Sequence, residues 1–591
     1  MLLIILSVMY FESKGITVTG ERFKHLPYQV EVIEVEDMLT ISELGEILEK
    51  EAGIKIYGNG DPVSLSQAAV RGNTSKHTLI MLNGHRVNDP KTGGFDLSAL
   101  PLSSIKRIEI VKGSSSVFQG SNAIGGIVNL ITGKETNEIK LQGNNNSTLG
   151  ANLQLYKFGV NGNLNLKKGE GQRSNTDFER YTLTLNCNDL NFTGSYKDLG
   201  TPGVLPDSGI VPIFGDSTAT SLFDNQQTQF ADLSYTKTLT NGNLGVLIKP
   251  AIIGEIFKYN WKYDKVVDFL TMETDTIIEK DKYKTIAGQF NTKILYKMLS
   301  ISMNLEKDKV WIDQYTSNYD TTSFSLEEEK AGMTLSLFHE IKNMNIFASA
   351  RGDWYGSFGL HPSFTIGSRI TTPIEIFASV GSAFQAPTLY DLYYPGFSNE
   401  ELNPEYSLAL NGGIKIKDVT MSGYIKEIRD RIANDETWTP QNIAKSRVFG
   451  LDIEADGTYK DISYSLIYSY LDGYDEENET KRELQHQPKH SITGIFSYQG
   501  PINAEISGKW EGERKAWLSS GNPPFNQKWK KTKKVFIMDL GISKKLNNIA
   551  LGFNIENIFD QKYIKNFGFY LEDRDYPGMG RHFNIWAGYS L

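Results

Sequence analysis

Two-residue alternation of apolar and polar side chains recurs along this chain and limits what it can fold into. Tyr181, Leu183, Leu185 and Cys187 fall on one face of a segment, with Thr182, Thr184 and Asn186 on the other. After a turn near Asn188 and Asp189 the phase resets to Leu190, Phe192, Gly194 and Tyr196. Ile462, Tyr464, Leu466, Tyr468 and Tyr470 repeat it, and the chain ends with Phe583, Ile585, Ala587, Tyr589 and Leu591 alternating against polar or small neighbours. A period of two means strands whose two faces meet different environments. The polar faces are too numerous for one solvated sheet. No Pro/Ser-rich linker or short repeat divides the chain into several sandwiches. A single large barrel with a wet or filled lumen accommodates the pattern.

Composition agrees with that reading. The apolar share is 39%, and no interior stretch supplies the ~18 consecutive apolar residues of a membrane helix. A membrane β-barrel is untouched by this test, because alternation hides its hydrophobicity from a window average. The 29 Tyr and 30 Phe suit aromatic girdles at membrane interfaces. The single cysteine, Cys187, excludes an intramolecular disulfide framework. A net charge of −9 argues against nucleic-acid binding driven by bulk charge. The stretch 135–591, at about 10 residues per strand and a similar allowance per connection, holds roughly 22 strands. A barrel of that size has a lumen that must be plugged.

The first 134 residues read differently. Residues 1–13 open on an apolar run, Met1 to Phe11, of signal-peptide length but without a basic leader, so they read as an incomplete export signal. Residues 25–134 read as a compact α/β unit, with strand-like runs at Val30–Val35, Ala68–Arg71, Thr78–Leu82, Ile105–Lys112 and Gly126–Thr132. Thr40 and Glu43 have capping-box spacing before a helical stripe of Leu44, Ile47 and Leu48, with Gly53 as terminator. Asn83-Gly84 is a tight-turn signal. The expected fold is therefore an all-β membrane protein, an antiparallel transmembrane barrel of about 22 strands plugged by an N-terminal α/β domain.

Four plug segments carry a family resemblance: Ala69-Val-Arg-Gly72, Ile80-Met-Leu-Asn-Gly84, Ile105 to Gly113, and Gly120 to Asn129. The barrel adds Phe384 to Tyr393, Leu402-Asn-Pro-Glu405, Asn557 to Tyr563 and Pro577 to Arg581. Over its whole length the chain resembles the TonB-dependent outer-membrane receptors. Asn83, Ser114, Gln119, Gln385 and Leu591 depart from the family's usual residues. The resemblance implies active import of a scarce, large ligand across the outer membrane of a Gram-negative bacterium by a monomeric receptor. It also implies a partner, the TonB C-terminal domain of the TonB–ExbB–ExbD complex, which grips a segment before the plug by strand addition. Ile16, Thr17, Val18 and Thr19, between Gly15 and Gly20 in the region 14–24, are the TonB-box candidate.

At this length the chain most resembles the vitamin B12 branch, so cobalamin or a related corrinoid is the expected ligand. A ferric siderophore is the alternative. Haem is disfavoured because no His lies between Phe384 and Pro404. Ligand contacts are expected on apical plug loops at Asn59, Asp61, Ser64, Gln67, Asn88, Lys91, Thr92 and Phe95. On barrel loops they are expected at Tyr390, Tyr393, Tyr394, Phe397 and Trp517. Arg71, Arg107, Glu109 and Lys112 look like plug-to-barrel ionic contacts. No cofactor is required. Corrinoid receptors use a calcium-binding loop, yet Asp207, Asp216 and Asp224 lack a dense oxygen-ligand spacing. No His-Glu-x-x-His or Gly-x-Ser-x-Gly signature points to an enzyme. A passive barrel or adhesin would need neither plug nor TonB box.

Overall fold

The computed structural model describes residues 27–591 apart from 36–38, 42, 52–53, 59, 61–62, 172–175, 202–210, 214–216, 242, 269–272, 317–318, 397, 435–438, 478–479, 521–525 and 568–575. For 201, 211–213, 217–224, 261–268, 273–277, 316, 319–321, 443, 477, 517–520 and 526–528 it describes the backbone alone. The signal segment and the TonB-box candidate, Ile16 to Thr19, lie outside the described residues, as do Asn59, Asp61, Phe397, Asp207 and Asp216.

The barrel is a closed antiparallel sheet of 22 strands. It begins at Glu138–Asn144 and closes where His582–Ser590 pairs back onto that first strand, Ser590 opposite Glu138. Burial runs opposite to that of a soluble sheet. Leu183 is 39% exposed, whereas Thr184 beside it is 0% exposed. Ile462, Leu466, Ile585 and Tyr589 also face outward. The apolar phase of each strand therefore meets lipid, and the polar phase lines a lumen that is itself filled. Connections at one end are tight, such as those at Asn188, Lys297, Lys342, Lys417 and Asn547, where the chain adopts positive φ. The other end carries the long connections. Strands Leu244–Asp268 and Glu273–Tyr296 run 25 and 24 residues. At ~3.3 Å per residue each approaches ~80 Å, well beyond the hydrocarbon layer, so their loop-end halves stand clear of it.

The lumen holds the plug. Its five-stranded sheet consists of β1 (Gln29–Glu34), β4 (Thr78–Leu82), β5 (His85–Arg86), β6 (Ile105–Lys112) and β7 (Gly126–Thr132), in the order β1-β6-β7-β4-β5. Only β4 and β7 run parallel. A separate hairpin joins β2 (Lys55–Gly58) to β3 (Ser66–Ala69), and α1 (Leu44–Glu51) packs Leu44, Ile47 and Leu48 into the plug core with Ile54, Ile56, Leu97, Ile108 and Leu130. The Asn83-Gly84 turn has positive φ at both residues, as a two-residue hairpin of this twist requires.

The helix start departs from expectation. Thr40 does not cap Glu43. Its backbone N–H and hydroxyl both donate to Glu505 on the barrel wall, at 2.9 and 2.5 Å. Glu46 instead reaches back to accept from the Glu43 N–H at 3.3 Å. The pull of a wall carboxylate outcompetes the local box, because a buried Glu505 needs donors more than a short helix needs its cap.

Gly126 sits at φ 150°, and a Cβ there would lie 2.3 Å from the Val111 carbonyl oxygen of the neighbouring strand. Gly126→Ala should therefore destabilise the plug sheet by about 1–3 kcal/mol. Faster amide hydrogen exchange in β6 and β7, with barrel amides unchanged, is the expected readout.

Candidate functional site

At the loop end the plug presents the turn from Asn88 to Phe95, and a barrel connection folds down to meet it. That connection carries α2 (Leu389–Tyr393), whose start is a true capping box. The Asp391 N–H donates to Thr388 Oγ1 at 3.1 Å and the Thr388 N–H donates to Asp391 Oδ2 at 3.0 Å. The first N–H groups of α2 donate to the plug: Leu389 to the Pro90 carbonyl at 3.1 Å and Tyr390 to the Lys91 carbonyl at 3.2 Å. Lys76 reinforces the contact through Glu405 at 3.0 Å and Asp391 at 4.0 Å, and His77 meets Glu405 at 2.7 Å.

This docking assembles an aromatic cup. Tyr390 lies 5.9 Å from Tyr283 and 5.0 Å from Tyr394, ring centre to ring centre. Phe257 is 6.0 Å from Tyr283. The Lys91 ammonium pairs with Asp89 at 2.9 Å and sits 5.0 Å over Tyr283 and 5.6 Å from Phe257. Gln314 donates to the Tyr394 hydroxyl at 3.0 Å, and Tyr283 donates to Asp281 at 2.8 Å. Tyr390, Tyr393 and Tyr394 remain partly exposed, and Thr92 is exposed at the rim. Apolar ring faces with a few oriented polar groups are the usual furniture of a site for an organic ligand.

The other expected contact residues are placed differently. Asn88 is buried, accepting from the Ile80 N–H and donating to the Thr78 and Gly93 carbonyls, so its amide shapes the turn. Phe95 is buried against Phe230 at 5.6 Å and belongs to the plug core. Gln67 accepts from Ser75, and Ser64 is buried. The Trp517 side chain is outside the described residues; its backbone pairs with that of Trp529 in a two-stranded ribbon. Phe257, Tyr283 and Gln314 escaped sequence reading. Phe257 and Tyr283 share an inward phase with Lys249, Gln289 and Asn291 but also with Ala251, Ile253 and Ala287, so the strand pattern alone did not mark them.

Below the cup, the plug meets the wall through ions. Arg71 contacts Asp452 at 3.3 Å and Asn411 at 3.1 Å, and Lys112 contacts Glu454 at 2.8 Å and Glu31. Arg107 and Glu109 pair with each other inside the plug at 2.8 Å, since β6 places them two residues apart on one face. On the opposite flank, α1 and Glu43 just before it bear a row of carboxylates and a lysine that reach the wall. Glu43 accepts from Lys167 at 2.6 Å and Arg180 at 2.9 Å, Lys50 donates to Asp539 at 2.5 Å, and Glu49 meets Lys565 at 2.5 Å and Lys509 at 3.0 Å. A cavity of about 330 Å³ follows this row, from Gly60, Ser64 and Lys565 at the loop end to Lys134 and Glu138 at the short-turn end. Burial alone would raise the Glu43 carboxyl, but Arg180 and Lys167 hold it down at about 2. Burial, aided by Arg514, pushes the Lys55 ammonium down to about 7 against the pull of Glu511 and Glu49.

The comparisons with known proteins fall in place on this geometry. The family model for the TonB-dependent receptor plug domain matches residues 23–127, and that for the TonB-dependent receptor-like β-barrel matches residues 125–558. The chain belongs to the TonB-dependent receptor family. It is a TonB-dependent transport protein of the outer membrane, and its loop end with the aromatic cup is the extracellular one. Among curated proteins it is 24% identical to the vitamin B12 transporter BtuB of Photobacterium profundum, over 95% of this chain and 94% of the relative. It is 23% identical to that of Vibrio vulnificus, over 93% and 91%. Among solved structures, the siderophore receptor PirA from Acinetobacter baumannii superposes with a TM-score of 0.71 at 15% identity, covering 98% of this chain and all 100% of that one. The copper transporter OprC gives 0.73 at 13% identity, covering 98% and 99%. At such identities these structures speak for the fold alone.

Because Glu43 is held below its ordinary 4.5, its ion pairs stabilise the docked plug above about pH 4.5 and lose that contribution as pH falls toward about 2. In detergent-purified protein, the melting temperature should fall between pH 5 and pH 3 less steeply for Glu43→Gln than for the parent. Equal slopes would remove Glu43 from the acid response.

Proposed function

We propose that this receptor imports cobalamin or a related corrinoid. The observation that carries the reading is the end-to-end similarity to two curated vitamin B12 transporters, each covering more than nine tenths of this chain. The cup supports it: Tyr390, Tyr394 and Phe257 offer ring faces to a large planar macrocycle, Thr92 and Gln314 offer polar groups to its amide periphery, and the buried Tyr283 and Lys91 form the floor beneath. Ligand held in the cup waits above the α1 seam, whose ion pairs exchange readily with water. TonB engages Ile16 to Thr19 as an added strand and pulls the plug's N-terminal part, opening that seam toward the periplasm. The protein acts as a carrier with no catalytic step and needs no resident cofactor.

Binding of cyanocobalamin to purified protein, in competition with ferric siderophores, tests the ligand. Affinity in the micromolar range or tighter is expected for the corrinoid. Failure to bind it, with a ferric siderophore bound instead, would overturn the choice of ligand. Tyr283→Ala and Tyr390→Ala should each weaken corrinoid binding by roughly tenfold. Titration with and without EDTA checks the cofactor statement, since a loss of affinity on chelation would place calcium at the extracellular loops.

Energy coupling has its own test. Deleting residues 15–20 should abolish uptake by whole cells and leave binding intact. Uptake surviving the deletion would overturn the assignment of the TonB box to Ile16 to Thr19.

A further inference from the structure

Far from the cup, at the short-turn end of the lumen, two buried nitrogens have no hydrogen-bond partner among the described residues: Lys249 Nζ and His85 Nε2. Lys249 is 2% exposed and His85 is 0% exposed. Lys249 projects inward from strand Leu244–Asp268, directly across from Asn291 on strand Glu273–Tyr296. His85 opens β5 of the plug. A chain of amides sets its protonation. Arg351 donates to Asn304 Oδ1 at 2.8 Å, and Asn304 Nδ2 donates to Asn291 Oδ1 at 2.6 Å. Asn291 is left facing His85 Nδ1 with its Nδ2 donor, at 3.5 Å. The ring proton then belongs on Nε2, which becomes a donor like Lys249 Nζ.

The surroundings are electropositive. A cavity of about 120 Å³ is lined by Lys249, Lys293, Lys297 and Asn291 from the wall and by Gly84 and Phe118 from the plug. Glu109 is the carboxylate that bears on Lys249. Its oxygens are engaged by Arg107 and Asn129, each at 2.8 Å. An ammonium withdrawn from water without a partner costs several kcal/mol, so such a group calls for a counter-charge. The cavity is far below the ~300 Å³ or more that an organic ligand occupies.

We propose that this cavity binds one small inorganic oxyanion, phosphate or sulfate, with Lys249 Nζ as the lining donor, Lys293 and Lys297 adding positive potential, and His85 Nε2, next in sequence to the lining residue Gly84, as the donor from the plug. Bound there, the anion ties the β4–β5 hairpin of the plug to two barrel strands. This site is separate from the ligand cup and does not depend on which molecule is transported.

The test is thermal unfolding of the full-length protein in detergent, titrated with sulfate against a bulky organic anion at fixed ionic strength. The parent should show a saturable rise in melting temperature. Lys249→Met should need roughly tenfold more sulfate for the same rise, or show none. No rise in the parent, or an equal rise in both proteins, overturns the site. Crystals of the unmodified protein grown with selenate give a check that needs no variant. An anomalous peak within hydrogen-bond distance of Lys249 Nζ is expected, and its absence at full occupancy of the crystal's other selenate sites overturns the proposal.

Discussion

A carboxylate or ammonium taken out of water costs several kcal/mol unless an opposite charge and hydrogen bonds meet it, and the interface between plug and barrel is organised by that constraint. The barrel turns its apolar phase to lipid and its polar phase inward, so whatever fills the lumen must satisfy polar groups. The plug does this in two bands. Arg71 and Lys112 reach Asp452 and Glu454 on one flank, while Glu43, Glu49 and Lys50 reach Arg180, Lys509, Lys565 and Asp539 on the other. Pairs of this kind add little net stability compared with apolar packing, but breaking one partner is costly. They fix where the plug sits without welding it in place.

That choice of glue suits a transporter. Apolar packing between plug and wall would make every displacement expose hydrophobic surface, at ~25 cal/mol per Å². Ion pairs lining a seam of about 330 Å³ can trade partners for water as the plug shifts. The apolar core of the plug is built from residues such as Leu44, Ile47, Leu48, Ile108 and Leu130, and it meets the wall at Phe230, Ile253, Ala287 and Ile495. The plug is thus coherent inside and is held to the wall by ion pairs together with a few apolar contacts, such as Phe95 on Phe230 and Phe118 on Phe347. At the extracellular end the arrangement changes, with rings of Tyr283, Phe257 and Tyr390 gathered around Lys91.

Much of the fold was legible because local signals and the final structure agree. Thr78–Leu82, Ile105–Lys112 and Gly126–Thr132 are strands at the residues where alternation and bulk suggested them. Asn83-Gly84 turns as that dipeptide should. The Thr40–Glu43 cap misled, since both residues are claimed by wall partners far away in sequence, Glu505 at 465 positions and Arg180 at 137. The candidate site was half legible. Tyr390 and Tyr394 belong to a recognisable loop, but Asn88 and Phe95, polar and aromatic on a turn, serve the turn and the core. Phe257 and Tyr283 gave only a faint signal, because one aromatic residue inside a long strand reads as a lipid anchor until its phase is known.

By itself the sequence determined the class of structure. Period-two alternation without long apolar runs leaves a membrane barrel as the architecture that buries every backbone polar group, and its length demands a plug. The tertiary structure decided which side of each strand faces in and which charges meet. It also decided that α2 folds into the lumen to complete a cup on the plug's apex. Those outcomes depend on pairings between residues far apart in the chain, whose energies come from shared burial and geometry rather than from any local propensity.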